Sequence, residues 1–368
     1  MSPKIREATH AGSWYTDSES RLSAELSSNL SNVKPITKLD YDPPVSDAKA
    51  IIAPHAGYSY SGPTAAWAYA AIPTDKVKRV FLLGPSHHAY LAGVALSTFD
   101  AYETPVGDIS LCKKTISDLR DTGIFSDMKH SVDEDEHSLE MHLPYIRHVF
   151  KDRDDLRLVP ILVGHPSRDT SDKLSEVLAK YWQDEETFFI ISSDFCHWGT
   201  RFSCTPYYPN APPPPNPVPP VPDEPHSAAY EPPTLIKRFS SKDANPDVPI
   251  WKSIQFMDHE GMDLLKKPAE FGASEKWEAY LDRTKNTICG RNPITVLVNL
   301  IQYIYGDKTS TVDKDQRHHY HRSEEFNSAA HPEFTFVRYE QSSKCKSGSD
   351  SSVSYVSGIL RVPGHRQS

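Results

Sequence analysis

Four short apolar runs, separated by helix-length amphipathic stretches, constrain this chain more than any other feature. They are "AIIAP" (50–54), "RVFLLGP" (79–85), "RLVPILVG" (157–164) and "TFFIISSD" (187–194). Continuous apolar runs of this length, bounded by Gly, Pro or Asp, read as buried strands. Helical patterns flank or separate them at 18–30, 63–72, 112–120, 138–150 and 170–182. Strands alternating with helices predict an α/β fold: a single-domain mixed or parallel sheet flanked by helices. Further helical stretches follow at 251–267, 274–283 and 293–305, and two late strands, 333–340 and 352–362, close the chain.

Two segments do not fit that alternation. Residues 206–233 hold 13 of the chain's 31 prolines. Such a stretch favours polyproline II and buries no core, so it reads as an insertion. It could serve as a spacer, or as a ligand for an SH3- or WW-type partner. Residues 306–330 are polar and include "QRHHYHRSEE". That tract reads as a solvated loop insertion, with metal binding by its histidines as the other reading. The expected domain therefore spans 6–362, with 363–368 as a tail.

Composition removes several function classes. The formal net charge is −9 and no basic run tracks a backbone, so no nucleic-acid partner is expected. The N-terminal residues lack the apolar region of a secretory signal, and no apolar stretch approaches the length of a membrane span. Five scattered cysteines fit a reducing compartment better than a disulfide framework. The expected location is the cytoplasm, with the nucleus as a second compartment. There is no G-x-S-x-G elbow, no G-x-x-x-x-G-K-[ST] and no G-x-G-x-x-G, so neither serine hydrolysis nor nucleotide binding has its motif.

The strand ends carry the chemistry. "AIIAP" runs into His55, "RVFLLGP" into His87 and His88, and "TFFIISSD" into Asp194, Cys196 and His197. Ligands of α/β sheets bind beyond the carboxyl ends of the strands, so three strands deliver His or Asp to one edge. A lone His after a strand is usually a hydrogen-bonded structural residue; three such ends together point to a shared site. Gly57 and Gly84 allow close backbone approach, and Pro54 and Pro85 stiffen the route to each His. Neutral imidazoles ligate iron, copper and zinc, and a third ligand could come from Asp194, Cys196, His197 or a distant residue.

Cys289 in "NTICGRNPITVL" is one such residue. Asn286 and Thr287 are candidate caps for the following helix, whose dipole would favour a thiolate at Cys289. The alternative is a small buried cysteine. The run "DEDEHSLEMH" (133–142) could feed a metal through His137 or His142, but it reads more simply as an acidic first turn complementing a helix dipole.

The blocks "EATHAGSWYT", "IIAPHAGYSYSGPTAAWAY", "LLGPSHHAY", "DEDEHSLEMHLPY", "VPILVG", "SSDFCHWGTRF", "NTICGRNPI" and "DSSVSY" resemble, in that order, the Memo family, over about residues 6–362. The resemblance implies a fold like that of the class III extradiol dioxygenases, which hold iron with two His and one carboxylate. By the same resemblance the ligands here are His55, His87 and Cys289. Asp194 and His197 line the pocket, with His197 in the position of an acid/base catalyst, and Trp14 and Tyr60 stand at its rim. Memo-like proteins are associated with copper or iron binding, redox activity, cell-motility signalling and docking of phosphotyrosine peptides. A thiolate in place of a carboxylate moves metal preference toward Cu(I), zinc or thiolate-bound iron, which weakens a dioxygenase assignment. The expected protein is thus an intracellular metal-binding oxidoreductase candidate using copper or iron, with zinc as a third option. The competing expectation is a non-catalytic phosphopeptide or small-ligand binding module.

Overall fold

Among the described residues, nine strands form the main sheet. They are β1 (Ala48–Ala53), β2 (Arg79–Pro85), β3 (Val94–Leu96), β4 (Phe125–Asp127), β5 (Arg157–Val163), β6 (Thr187–Ser192), β7 (His197–Trp198), β8 (Glu333–Gln341) and β9 (Ser352–Arg361). The computed structural model describes residues 3–211, 233–236, 245–306 and 331–364. Most of the proline-rich segment (212–232), nearly all of the polar stretch (307–330) and residues 365–368 of the tail lie outside the described residues.

The spatial order is β7-β9-β1-β6-β2-β5-β3-β4, with β8 pairing β9. The four central strands, β1, β6, β2 and β5, run parallel. They correspond to the four apolar runs, and β1 and β6 are buried at every residue. Strands covered on both faces by helices need such runs, because neither face meets water. β9 joins antiparallel to β1, β8 and β7, and β3 joins antiparallel to β5, so the sheet is mixed.

Among the described residues ten α-helices accompany the sheet: α1 (Glu19–Ser31), α2 (Tyr58–Ala70), α3 (Lys113–Arg120), α4 (His130–Asp135), α5 (His137–Glu140), α6 (Leu143–Val149), α7 (Arg168–Gln183), α8 (Ile250–Leu265), α9 (Ala273–Thr284) and α10 (Arg291–Tyr305). α2 packs on β1, β8 and β9, whereas α7 and α10 pack on β6 and on each other.

Two helices depart from expectation. The pattern suggested a start at Pro63, where a missing N–H costs nothing; α2 instead starts at Tyr58 and carries Pro63 inside. The Tyr58 amide donates to Trp14 O at 3.0 Å, which anchors the earlier first turn. The stretch 138–150 is two helices, broken at Met141–His142, and α6 restarts with Pro144 in its first turn, where proline is tolerated. Short strands escape the sequence pattern. Examples are β3, β4 and the small sheet of Ile5–Arg6, Ala101–Tyr102 and Ile109–Ser110. The ends of the proline-rich segment are tied together, since Pro206–Tyr207 pairs antiparallel with Thr234–Leu235.

Register explains the site's location. Ala53 lies opposite Ser192, and Ile191 opposite Leu83. The residues just beyond β1, β6 and β2 therefore leave the sheet at one edge, and these are His55, Asp194 and His87.

Candidate metal centre

His55 is 2% exposed. Its Nδ1 lies 2.6 Å from Ser192 Oγ, and that hydroxyl donates its own proton to Ser138 O at 2.7 Å. The serine can therefore only accept from the ring, which places the proton on Nδ1 and leaves a lone pair on Nε2. His87 is fixed in the same sense. Its Nδ1 donates to Glu136 Oε1 at 2.9 Å and its amide to Glu136 Oε2 at 2.7 Å. A carboxylate accepts only, so the His87 lone pair is again on Nε2. Burial works against the Glu136 charge but is outweighed by these His87 contacts and the Ser138 amide, and its pKa falls to about 2.

Ring planes decide which imidazoles can share an ion. A metal sits in the plane of the imidazole that binds it. His55 and His87 rings lie 5.2 Å apart at 71°, so their planes intersect. His137 brings a ring nitrogen within 4.8 Å of both. Yet it stacks on His87 at 4.4 Å and 9°, and two nearly parallel planes do not meet at one ion. His137 walls the pocket beside His87 rather than completing its ligand set.

Cys289 supplies a sulfur on the His55 side, with Sγ 3.1 Å from His55 Nε2. Because Nε2 carries no proton, the thiol donates to it. The residue sits on the loop between α9 and α10. Gly290 makes this approach feasible: a Cβ there would lie 2.3 Å from Ser193 Cβ and 2.4 Å from Ser192 O. Thr287 Oγ1 accepts from the His197 amide and donates to His197 O, both at 2.9 Å, which ties the loop to β7.

The capping expectation is corrected here. The N-cap of α10 is Gly290, while Asn286 instead donates to Asp258 and Tyr280, and Thr287 holds His197. The thiol pKa moves up, not down, chiefly through burial and then the nearby Asp194 charge. A partial dipole charge does not offset burial and a neighbouring carboxylate here.

Asp194 and His197 are brought to the same edge in different ways. The Asp194 carboxylate accepts the His55 amide at 2.9 Å, and its backbone N and O both contact Cys289 Sγ. Burial raises its pKa to about 7. The His197 Nδ1 faces Phe195 O and Thr287 O at 3.0 and 3.1 Å, so it carries the proton and Nε2 is the free nitrogen. Burial lowers the His197 pKa. Of the two rim residues, Trp14 is 37% exposed and lies 4.6 Å from His137. Tyr60 is 61% exposed on the first turn of α2, the helix that follows His55.

The acidic run 133–142 is not a solvated first turn. Asp133, Glu136 and Glu140 are all buried: Glu136 holds His87 and caps α5 through the Ser138 amide, and Glu140 binds Arg6 at 2.7 Å. Glu136 and Ser192 are site residues that sequence reasoning did not single out, and His137 was named only under the less favoured reading of the acidic run. The only local signal was five acids and two histidines crowded into ten residues, which also suits a surface turn.

Comparison with known proteins was consistent in its result. A family described as Memo-like protein matches residues 6–359. Protein MEMO1 of Xenopus tropicalis is 39% identical over 360 residues, covering 97% of each chain. Protein MEMO1 of Homo sapiens is 36% identical over 360 residues at the same coverage. The MEMO1 family protein MHO1 of Saccharomyces cerevisiae is 36% identical over 373 residues, covering 97% of this chain and 99% of its own.

Proposed function

Because this chain belongs to the Memo-like family, we propose that its pocket holds one transition-metal ion through His55, His87 and Cys289. The observation that carries this reading is the pair of imidazoles whose Nδ1 protons are fixed by Ser192 and Glu136, so that both Nε2 lone pairs are offered to the pocket. The donor chemistry suits such an ion: two imidazoles in intersecting planes, and a thiol 3.1 Å from His55 Nε2. The ligand atoms of His55, His87 and Cys289 do not all lie within 4.8 Å of one another, so binding all three would draw Cys289 and His87 closer together. A soft sulfur with two nitrogens suits copper or thiolate-bound iron, with zinc next. When bound, such an ion would supply a redox couple or a Lewis acid.

The chain's own residues do the rest. Glu136 and Ser192 orient the rings, and Cys289 must lose its proton on binding, so affinity should rise with pH. Asp194 and His197 would hold or move a proton beside such an ion. A redox role in signalling, cytoskeletal control or motility follows as the physiological reading.

The test is metal content by mass spectrometry for the wild type and for His55→Ala, His87→Ala and Cys289→Ser. Each variant should lose the bound copper or iron. Full stoichiometric metal in all three would sink the ligand assignment.

A second reading rests on two exposed aromatics, Trp14 beside His137 and Tyr60 on the helix that follows His55, which could receive a phosphopeptide or small acidic ligand. Metal-loaded protein that neither cycles its metal nor consumes oxygen, yet binds a phosphotyrosine peptide in a Trp14-dependent titration, would favour that reading.

A further inference from the structure

His88, the partner of His87 in the sequence, has no part in the pocket just described. It is exposed and turns toward a different set of donors. Its Nε2 lies 3.4 Å from His137 Nδ1, with the two rings at 88°. His137 Nδ1 in turn lies 3.8 Å from Glu136 Oε1. The three donor atoms all fall within 4.8 Å of one another.

We propose that His88, Glu136 and His137 form a second cation site at the mouth of the pocket, taking a divalent ion of zinc's chemistry. Three features support it. First, a 3.4 Å separation between two nitrogens, each ~2.1 Å from a zinc ion, corresponds to an angle of about 110°, close to tetrahedral. Second, perpendicular ring planes intersect, unlike those of His87 and His137, so both lone pairs can meet at one ion. Third, Glu136 is anchored by the His87 and Ser138 amides and the His87 ring, which fixes its carboxylate before any ion arrives. Two imidazoles, one carboxylate and an exposed side make the open donor set of catalytic zinc sites, harder than the sulfur-containing set inside.

This site stands apart from the reading above, since it needs neither His55 nor Cys289. Glu136 links the two, because it holds His87 for the inner ion through a hydrogen bond and offers an oxygen to the outer one. His137 takes the outer ion through Nδ1 while its ring face covers His87.

Cobalt(II) titration of the metal-free full chain tests it, because a thiolate ligand adds a near-ultraviolet charge-transfer band that nitrogen and oxygen ligands do not. Wild type should bind one equivalent more than His88→Ala, and that equivalent should lack the thiolate band. Cys289→Ser should abolish the band yet keep the His88-dependent equivalent. Taking the difference between wild type and His88→Ala removes any contribution from the remaining histidines. Equal stoichiometry in wild type and His88→Ala overturns the proposal, as does loss of the His88-dependent equivalent in Cys289→Ser. A measurement without a variant gives the same decision. Saturating zinc should protect the exposed His88 ring from diethyl pyrocarbonate, and unchanged modification overturns the site.

Discussion

At the scale of single residues, the pocket is built by fixing protons. Ser192 spends its hydroxyl proton on Ser138 O and so forces His55 to donate through Nδ1. Ser192→Ala leaves a buried ring N–H and a buried carbonyl without this partner. The expected result is a loss of roughly 1–3 kcal/mol in urea unfolding and a fall of about 10–100-fold in metal affinity by competition titration. Unchanged affinity would show that the tautomer is set by something other than Ser192. His55 and His87 were legible because each follows an apolar run, and strand ends are where α/β proteins place ligands. Their orienting partners were not, because Glu136 and Ser192 are 49 and 137 residues away from them in sequence. Nothing local to "DEDEHSLE" distinguishes a buried anchor from a solvated acid.

Among the elements, the approach of the α9–α10 loop to the end of β6 is a tight requirement at the site itself. Gly290 meets Ser193 and Ser192 at distances that no side chain tolerates. Gly290→Ala should push this loop outward, cost on the order of 1–3 kcal/mol, and separate Cys289 from His55. Thermal melts would read the first effect. Loss of thiolate-dependent metal binding would read the second; wild-type behaviour in both would mean that the loop yields without consequence. The central strands and most long helices were legible from their periodicity. The helix break at Met141–His142 was not. A pattern of apolar residues at 139, 143 and 146 suits one helix, and only the packing of α5 on β2 bends the chain there.

For the whole molecule, the N-terminal segment is stitched to the pocket wall by buried charge. Arg6 is fully buried and bonds Glu140 at 2.7 Å, with Asp133 3.3 Å away. Glu140 also accepts from His10 at 2.8 Å and from Tyr15 at 2.8 Å. Burial opposes the Glu140 charge, but His10 and Arg6 outweigh it, and the pKa drops from 4.5 to about 2. A carboxylate depressed in the folded state stabilises above its unfolded pKa and loses that contribution as pH falls. The window here runs from about 4.5 down to about 2. Glu140→Gln leaves the buried Arg6 short of a counter-charge, so at neutral pH it should cost on the order of 3 kcal/mol. The gap between variant and wild type should close as acid unfolding proceeds through that window. A gap independent of pH would show that shape, not charge, is what Glu140 contributes.

The sequence by itself determined the α/β class, the four parallel core strands and the edge at which His55, His87 and Asp194 emerge. Buried strands must be continuously apolar, and the residues that end them are placed by register. Its blocks also carry the family. Tertiary structure alone decided which donors face one another. It stacked His137 flat on His87, turned His88 outward toward His137 and Glu136, and set Cys289 against His55. Those choices depend on ring planes and on contacts between elements far apart in the chain. Neither composition nor spacing encodes an angle between two rings.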